Sequence, residues 1–281
     1  MADKTNKLEQ ELEDFRLAHY LNADFDSLIE KTVQLYRRFE KLKDKKKQNR
    51  VVLDLYTLYL QATEILFINS HALSTSIDRF PSSLFINSVN LREFIDDNFT
   101  KTTQLSSWFF SKLIFSVIKD NKKTNEKHNL YENLIKEVSN DYLDNFNLLN
   151  AYKHGYRVKA KHDKTTLSLS VGNGQHFKLN ESDSTITYFS KENRDGVPII
   201  LEHSLNFKIG RVFGKCLFVC SLLNNMRITM LLHYKNPVGK KDISSFYIND
   251  REEWSSTFGG SHIKKPVFSL KKPSKSNAVP K

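Results

Sequence analysis

Residues 165 to 174 read Thr165-Thr166-Leu167-Ser168-Leu169-Ser170-Val171-Gly172-Asn173-Gly174. Leu167, Leu169 and Val171 alternate with Thr166, Ser168 and Ser170, the period of a half-buried strand, and Gly-Asn-Gly is a tight-turn signal. Strand patterns recur around Phe177 to Leu179 and Thr185 to Phe189. After the turn Asn193-Arg194-Asp195-Gly196 they return from Val197 to Leu201. The spacing predicts a small antiparallel β-meander over residues 155–203.

On both sides of the meander the period is 3.6. Upstream, the first helix is expected near 5 to 21. A second follows an Asp24 or Asp26 cap, with Leu28, Val33, Leu35, Tyr36 and Phe39 at three- and four-residue spacings. A third, from about 48 to 70, carries Val52, Leu55, Tyr56, Tyr59, Leu60, Leu66 and Phe67, an apolar surface broad enough for the middle of a bundle. Pro81 interrupts the pattern. Shorter helical signals come at 84 to 98 and at 104 to 119, the latter around Trp108, Phe109, Leu113 and Val117.

The segment 126 to 154 sets Leu130, Leu134, Val138, Tyr142, Phe146 and Leu149 on one stripe, and Gly155 stands where a left-handed cap ends a helix. Downstream, 204 to 233 returns to helical spacing, with Gly210 and Gly214 read as points of close packing. Each long helix needs a partner for its stripe. The expected fold is therefore mainly α (α+β), a helical bundle with the meander inserted before its last long helix. In boundaries, 1–154 is the N-terminal part of the bundle, 155–203 the insertion, 204–233 the last helix and 234–281 a basic, partly disordered tail.

Composition agrees. Of 281 residues 39% are hydrophobic and 12% aromatic, enough for a core, while 9 glycines and 6 prolines are too few for a turn-dense all-β fold. The net charge of +11 is concentrated in two places. Between 37 and 50, Arg37, Arg38, Lys41, Lys43, Lys45, Lys46, Lys47 and Arg50 face only Glu40 and Asp44; the tail carries a similar excess, and the remainder is close to neutral. Such patches suit anionic partners such as nucleic acid, and a solvated lysine loop has the same sequence signature.

Cys216 and Cys220 are the only cysteines. At helical i,i+4 spacing they are poorly placed for a disulfide and supply two of the four ligands zinc needs, so buried thiols, no metal and no cofactor are expected. Without a cysteine framework, with an acidic N-terminal helix and with apolar stretches interrupted by Asp54, Gln61, Glu64 and Lys215, the reading is a cytoplasmic chain that does not cross a membrane.

Chemistry-bearing residues concentrate in Asn147-Leu148-Leu149-Asn150-Ala151-Tyr152-Lys153-His154-Gly155. At helical spacing Asn147, Asn150 and His154 form a polar ridge beside the apolar stripe. His154 could act as general acid/base, with Asn150 orienting it and Lys153 or Arg157 meeting charge on a phosphate. The same residues could equally cap the helix and tie its end to the first strand. No phosphate loop, His-Glu-x-x-His or nucleophile elbow is present. His162 and His176 flank the Leu167–Val171 strand without a metal-ligating partner. Phe246, Tyr247, Trp254 and Phe258 of the tail interleave with charge and could stack on bases or dock on the bundle, and docking is the expected use.

A helical bundle whose late helix ends in Asn-x-x-x-His resembles the HEPN superfamily of nucleotide- and RNA-associated domains. Asn150 and His154 match the motif's asparagine and histidine, and Leu149 stands in place of its arginine. The resemblance implies a component of a toxin–antitoxin, phage-defence or stress system that binds RNA or protein. With the arginine missing it points to a member that does not catalyse. The alternatives are a metal-independent ribonuclease using His154, and a structural homodimer.

Overall fold

The computed structural model describes residues 2–101, 124–153, 158–171, 175–194, 197–235 and 261–269; for 2–6, 124–131, 153, 164–171, 175–181, 193–194 and 261–269 it describes the backbone alone. The chain is mainly α with one antiparallel sheet. In order run α1 (Ala2–Asn22), α2 (Asp26–Lys41), α3 (Lys45–Ser74), a 3₁₀ turn (Ile77–Arg79), the single turn α4 (Phe80–Ser83), α5 (Ser88–Ile95) and a π turn (Asp96–Thr100). After these come α6 (Thr124–Lys153), β1 (Val158–Val171), β2 (Gln175–Arg194), β3 (Val197–Phe207), α7 (Ile209–His233) and β4 (Ser261–Ser269). The helix expected at 104 to 119, the turn at Gly155 and both hairpin tips lie outside the described residues.

Two compact units emerge: Met1–Lys41, Asp54–Phe146 and Gly210–Phe258 form one; Leu42–Leu53, Asn147–Ile209 and Gly259–Lys281 form the other. In the helical unit α3 supplies Leu55, Leu58, Tyr59, Leu60, Leu66 and Phe67, all buried, so it is the central helix that its broad apolar surface implied. Around it, Phe67 packs on Phe99 and Tyr142, and Tyr36 of α2 stacks on Phe213 of α7 with centroids 4.1 Å apart. Leu134, Val138, Tyr142 and Phe146 of α6 and Val212, Cys216, Cys220 and Leu223 of α7 are buried, as their stripes required. Arg227 Nε donates to Tyr20 O, tying α7 to α1.

Local chemistry sets the helix starts. Asp24 Oδ1 accepts from Ser27 N ahead of α2, and Asp44 Oδ1 accepts from Lys46 N and Lys47 N, so α3 starts at Lys45 and not near 48. The close packing expected at the two glycines of α7 is overturned. A Cβ on Gly210 would meet only the Tyr36 hydroxyl, at 3.7 Å, and one on Gly214 would meet nothing within 4 Å.

The sheet has the order β1-β2-β3-β4, antiparallel throughout. Phe177–Leu179 and Thr185–Phe189, read as two strands, are parts of one strand, β2, which bulges at its partner β1 allow to run on. β3 continues past 203 to Phe207, because Leu201, His203, Leu205 and Phe207 alternate inward with half-buried Glu202, Ser204 and Asn206; α7 accordingly starts at Ile209. The tail contributes β4, whose Lys264, Lys265 and Pro266 pair with His203, Glu202 and Leu201. Proline and lysine are tolerated there because β4 is the sheet's edge strand.

Candidate functional site

The helix that ends in the Asn-x-x-x-His motif is α6, reaching Lys153. Of the four residues given a catalytic reading, Asn150 is half-buried; His154 and Arg157 lie outside the described residues, and only the backbone of Lys153 is described. Asn147, the other end of the ridge, faces solvent. Leu149 is 0% exposed, packed between Leu148 and Asn150 in sequence but pointing into the core.

The basic segment spans the end of α2, the link 42–44 and the first turns of α3. Arg37, Arg38, Lys41, Lys43, Lys45, Lys46, Lys47 and Arg50 are all exposed. Asp44 spends its carboxylate on the α3 amides, which leaves the lysine heads around it outward. Within the sheet-bearing unit, α3 docks on β1: Asn49 Oδ1 accepts from His162 N at 2.7 Å, and Lys45 Nζ donates to His162 O at 3.2 Å and pairs with Asp163 at 3.3 Å. Lys161 Nζ reaches the other oxygen of Asp163 at 2.7 Å. Hydrogen bonding from Lys161 and Lys45 holds the Asp163 carboxyl below its ordinary range.

A charge cluster that the sequence reading did not assemble sits in the helical unit. Lys215, only 7% exposed, places Nζ 2.6 Å from Asp141 Oδ2 and 2.8 Å from Glu137 Oε1, and the Tyr59 hydroxyl donates to Asp141 Oδ2 at 2.8 Å. Glu137 and Asp141 are one turn apart on α6, so both face α7. Burial by itself would lower the Lys215 ammonium, but the two carboxylates outweigh it and hold the group above its ordinary value. Burial pushes the Glu137 carboxyl up, more than Lys215 pulls it down, and burial followed by Asp141 pushes the Tyr59 hydroxyl up. The signal was present in the sequence: Lys215 interrupts an apolar stripe, and a carboxylate pair at i,i+4 borders the stripe of a second long helix. The arrangement neutralises a buried cation, which is what a core needs before it can hold one.

The histidines fall into place separately. His162 contacts Ser184 Oγ at 3.1 Å, and Ser184 donates to Asp183, which also accepts from Ile209 N at the start of α7. For His176 only the backbone is described. His203, which sequence reasoning passed over, is buried, stacked on its cross-strand neighbour Tyr188 with centroids 4.4 Å apart and 2.7 Å from Ser190 Oγ. Cys216 and Cys220 are free, buried thiols; burial pushes the Cys216 thiol up, and Thr32 Oγ1 lies 3.2 Å from its sulfur. Among the described residues no three His, Cys, Asp or Glu side chains are grouped to hold a metal ion.

Among the described residues two helices, α3 and α7, are long and apolar enough by composition to cross a membrane, and two thirds of the apolar window of each is buried inside the protein. No protein-family model, curated protein or solved structure matches the chain.

Proposed function

We propose that this chain is an RNA-binding protein of HEPN-like layout, a cytoplasmic component of a defence or stress system that holds RNA without cleaving it. The observation that carries the reading is that all eight cations between 37 and 50 are exposed, while Asp44 accepts from the amides of Lys46 and Lys47 that open α3. Ammonium groups presented in this way bind phosphates by releasing counterions, with little sequence preference. The binding-only part is supported by Leu149: the position that aligns with the motif arginine is apolar and sealed.

The test is RNA affinity as a function of salt. Binding should weaken steeply with salt, and changing Lys43, Lys45, Lys46 and Lys47 to Glu should reduce affinity for every sequence alike. Wild-type affinity in that variant sinks the proposed site. Cleavage is assayed alongside with His154→Ala. RNA cut by wild type without added metal, and spared by an equally stable variant, would make this an active nuclease.

A further inference from the structure

The cations of α3 do not stand alone. Lys159 and Lys161 of β1 are exposed and alternate with Val158, Ala160 and His162, so they project from the face of the sheet opposite the buried Ile186, Tyr188, Leu201 and His203. Register sets Lys159 opposite Thr187 and Lys161 opposite Thr185 on β2, and those threonines opposite Ser204 and Asn206 on β3. Phe189 shares this outer face, half-buried. Asp163 joins the two basic groups, since it pairs with Lys161 of β1 and with Lys45 of α3 at the same time. The two lysines remain 72% and 67% exposed while doing so. Of the other acids with this alternation, Glu202 has Lys265 opposite it by register on β4, and Asp183 accepts from Ser184 Oγ and Ile209 N.

From this we infer that the outer face of the sheet is a platform for single-stranded RNA, with Lys159 and Lys161 continuing the cationic track of Lys43, Lys45, Lys46 and Lys47. The inference rests on the RNA-binding reading and extends it to a surface and a form of RNA. Lysines grip the backbone along one border. Behind them lie Thr187 and Ser204, the pair Thr185 and Asn206, in which the threonine hydroxyl donates to Asn206 Oδ1 at 2.8 Å, and one aromatic ring. Those groups can engage splayed bases and have little use for the paired, stacked bases of a duplex. Contact runs through ammonium groups and not through the amides that open α3, because Asp44 occupies them. Asp163 competes with phosphate for Lys45 and Lys161, so it limits affinity.

The experiment measures binding of a labelled single-stranded RNA of about ten nucleotides, and of the duplex of the same length, across a salt series. The proteins are wild type, K159E/K161E, K159Q/K161Q, D163N, F189L and the four-lysine variant of α3, with thermal unfolding recorded for each. Neutralising both β1 lysines should flatten the log–log salt slope by about 0.7 for each lysine, and charge reversal should weaken binding on the order of tenfold or more. D163N should bind tighter than wild type, and F189L, which keeps the apolar bulk and loses the ring, should weaken binding roughly fivefold. The duplex should bind more weakly than the single strand. If both β1 pairs bind as wild type while the α3 variant loses affinity, the sheet platform is wrong and the RNA reading stands. Equal affinity for duplex and single strand overturns the assignment of the form of RNA. Absence of RNA binding by wild type overturns the reading itself and the platform with it.

Discussion

Lys215 Nζ of α7 lies 2.6 Å from Asp141 Oδ2 of α6, in a helix interface where the lysine is 7% exposed and its two carboxylate partners, Asp141 and Glu137, keep 27% and 35% exposure. With Glu137 on one side and Tyr59 donating to the same carboxylate oxygen, the group fixes which faces of α3, α6 and α7 meet. Removing one partner of such a set leaves charge without compensation. Lys215→Met is expected to lose about 1–3 kcal/mol, less than a fully buried pair would, because the carboxylates left behind are partly hydrated. Replacing Glu137 and Asp141 by Gln and Asn in the same chain should recover most of it. Denaturant unfolding of both variants decides; a single variant within a few tenths of a kcal/mol of wild type would show the cluster to be energetically idle.

The same lysine gives stability an alkaline limit. Its folded-state pKa lies above the ordinary 10.5, so the native state keeps a proton that the unfolded chain has released. The contribution is complete below pH 10.5 and is lost as pH rises through the higher folded-state value. The stability gap between wild type and Lys215→Met should therefore narrow above that pH. A gap that stays constant to the alkaline end of folding contradicts the assignment.

Gly214 sits inside α7 with open space where a side chain would stand. Gly214→Ala should stabilise the protein by roughly 0.5–1 kcal/mol, the helix-interior cost of glycine. A lower melting temperature for the variant would mean that this helix face is occupied.

Leu134 belongs to the buried stripe of α6, at 4% exposure. Leu134→Ala should lose about 2–5 kcal/mol through transfer and cavity terms. A loss of a surface-like few tenths by the same denaturant measurement rules out a packed α6 stripe.

Cys216 and Cys220, reduced and buried, should resist a thiol-reactive reagent under native conditions and react with it once the chain is unfolded. Rapid labelling of the folded protein would place α7 at a surface.

The motif residues were legible as a cluster but not as a geometry. Asn147 and Asn150 fall on one helical ridge by spacing, yet the fold turns Asn147 to solvent and leaves Asn150 half-buried, since exposure depends on what packs against α6 and not on the α6 sequence. Leu149, by contrast, was readable as apolar and is sealed accordingly.

By itself the sequence determined the change from a 3.6-residue to a two-residue period after α6, the long helices on either side and the apolar stripes they bury. These are local patterns, read from the spacing of apolar residues along the chain. The tertiary structure decided the rest. Residues 261–269, polar and interrupted by Pro266, have no strand pattern of their own and pair only because β3 offers them an open edge. Lys215 looked like a defect in an apolar run until Asp141, 74 residues earlier, was brought against it. A backbone edge and a buried charge are each satisfied by partners remote in the chain, and remote partners are chosen by packing.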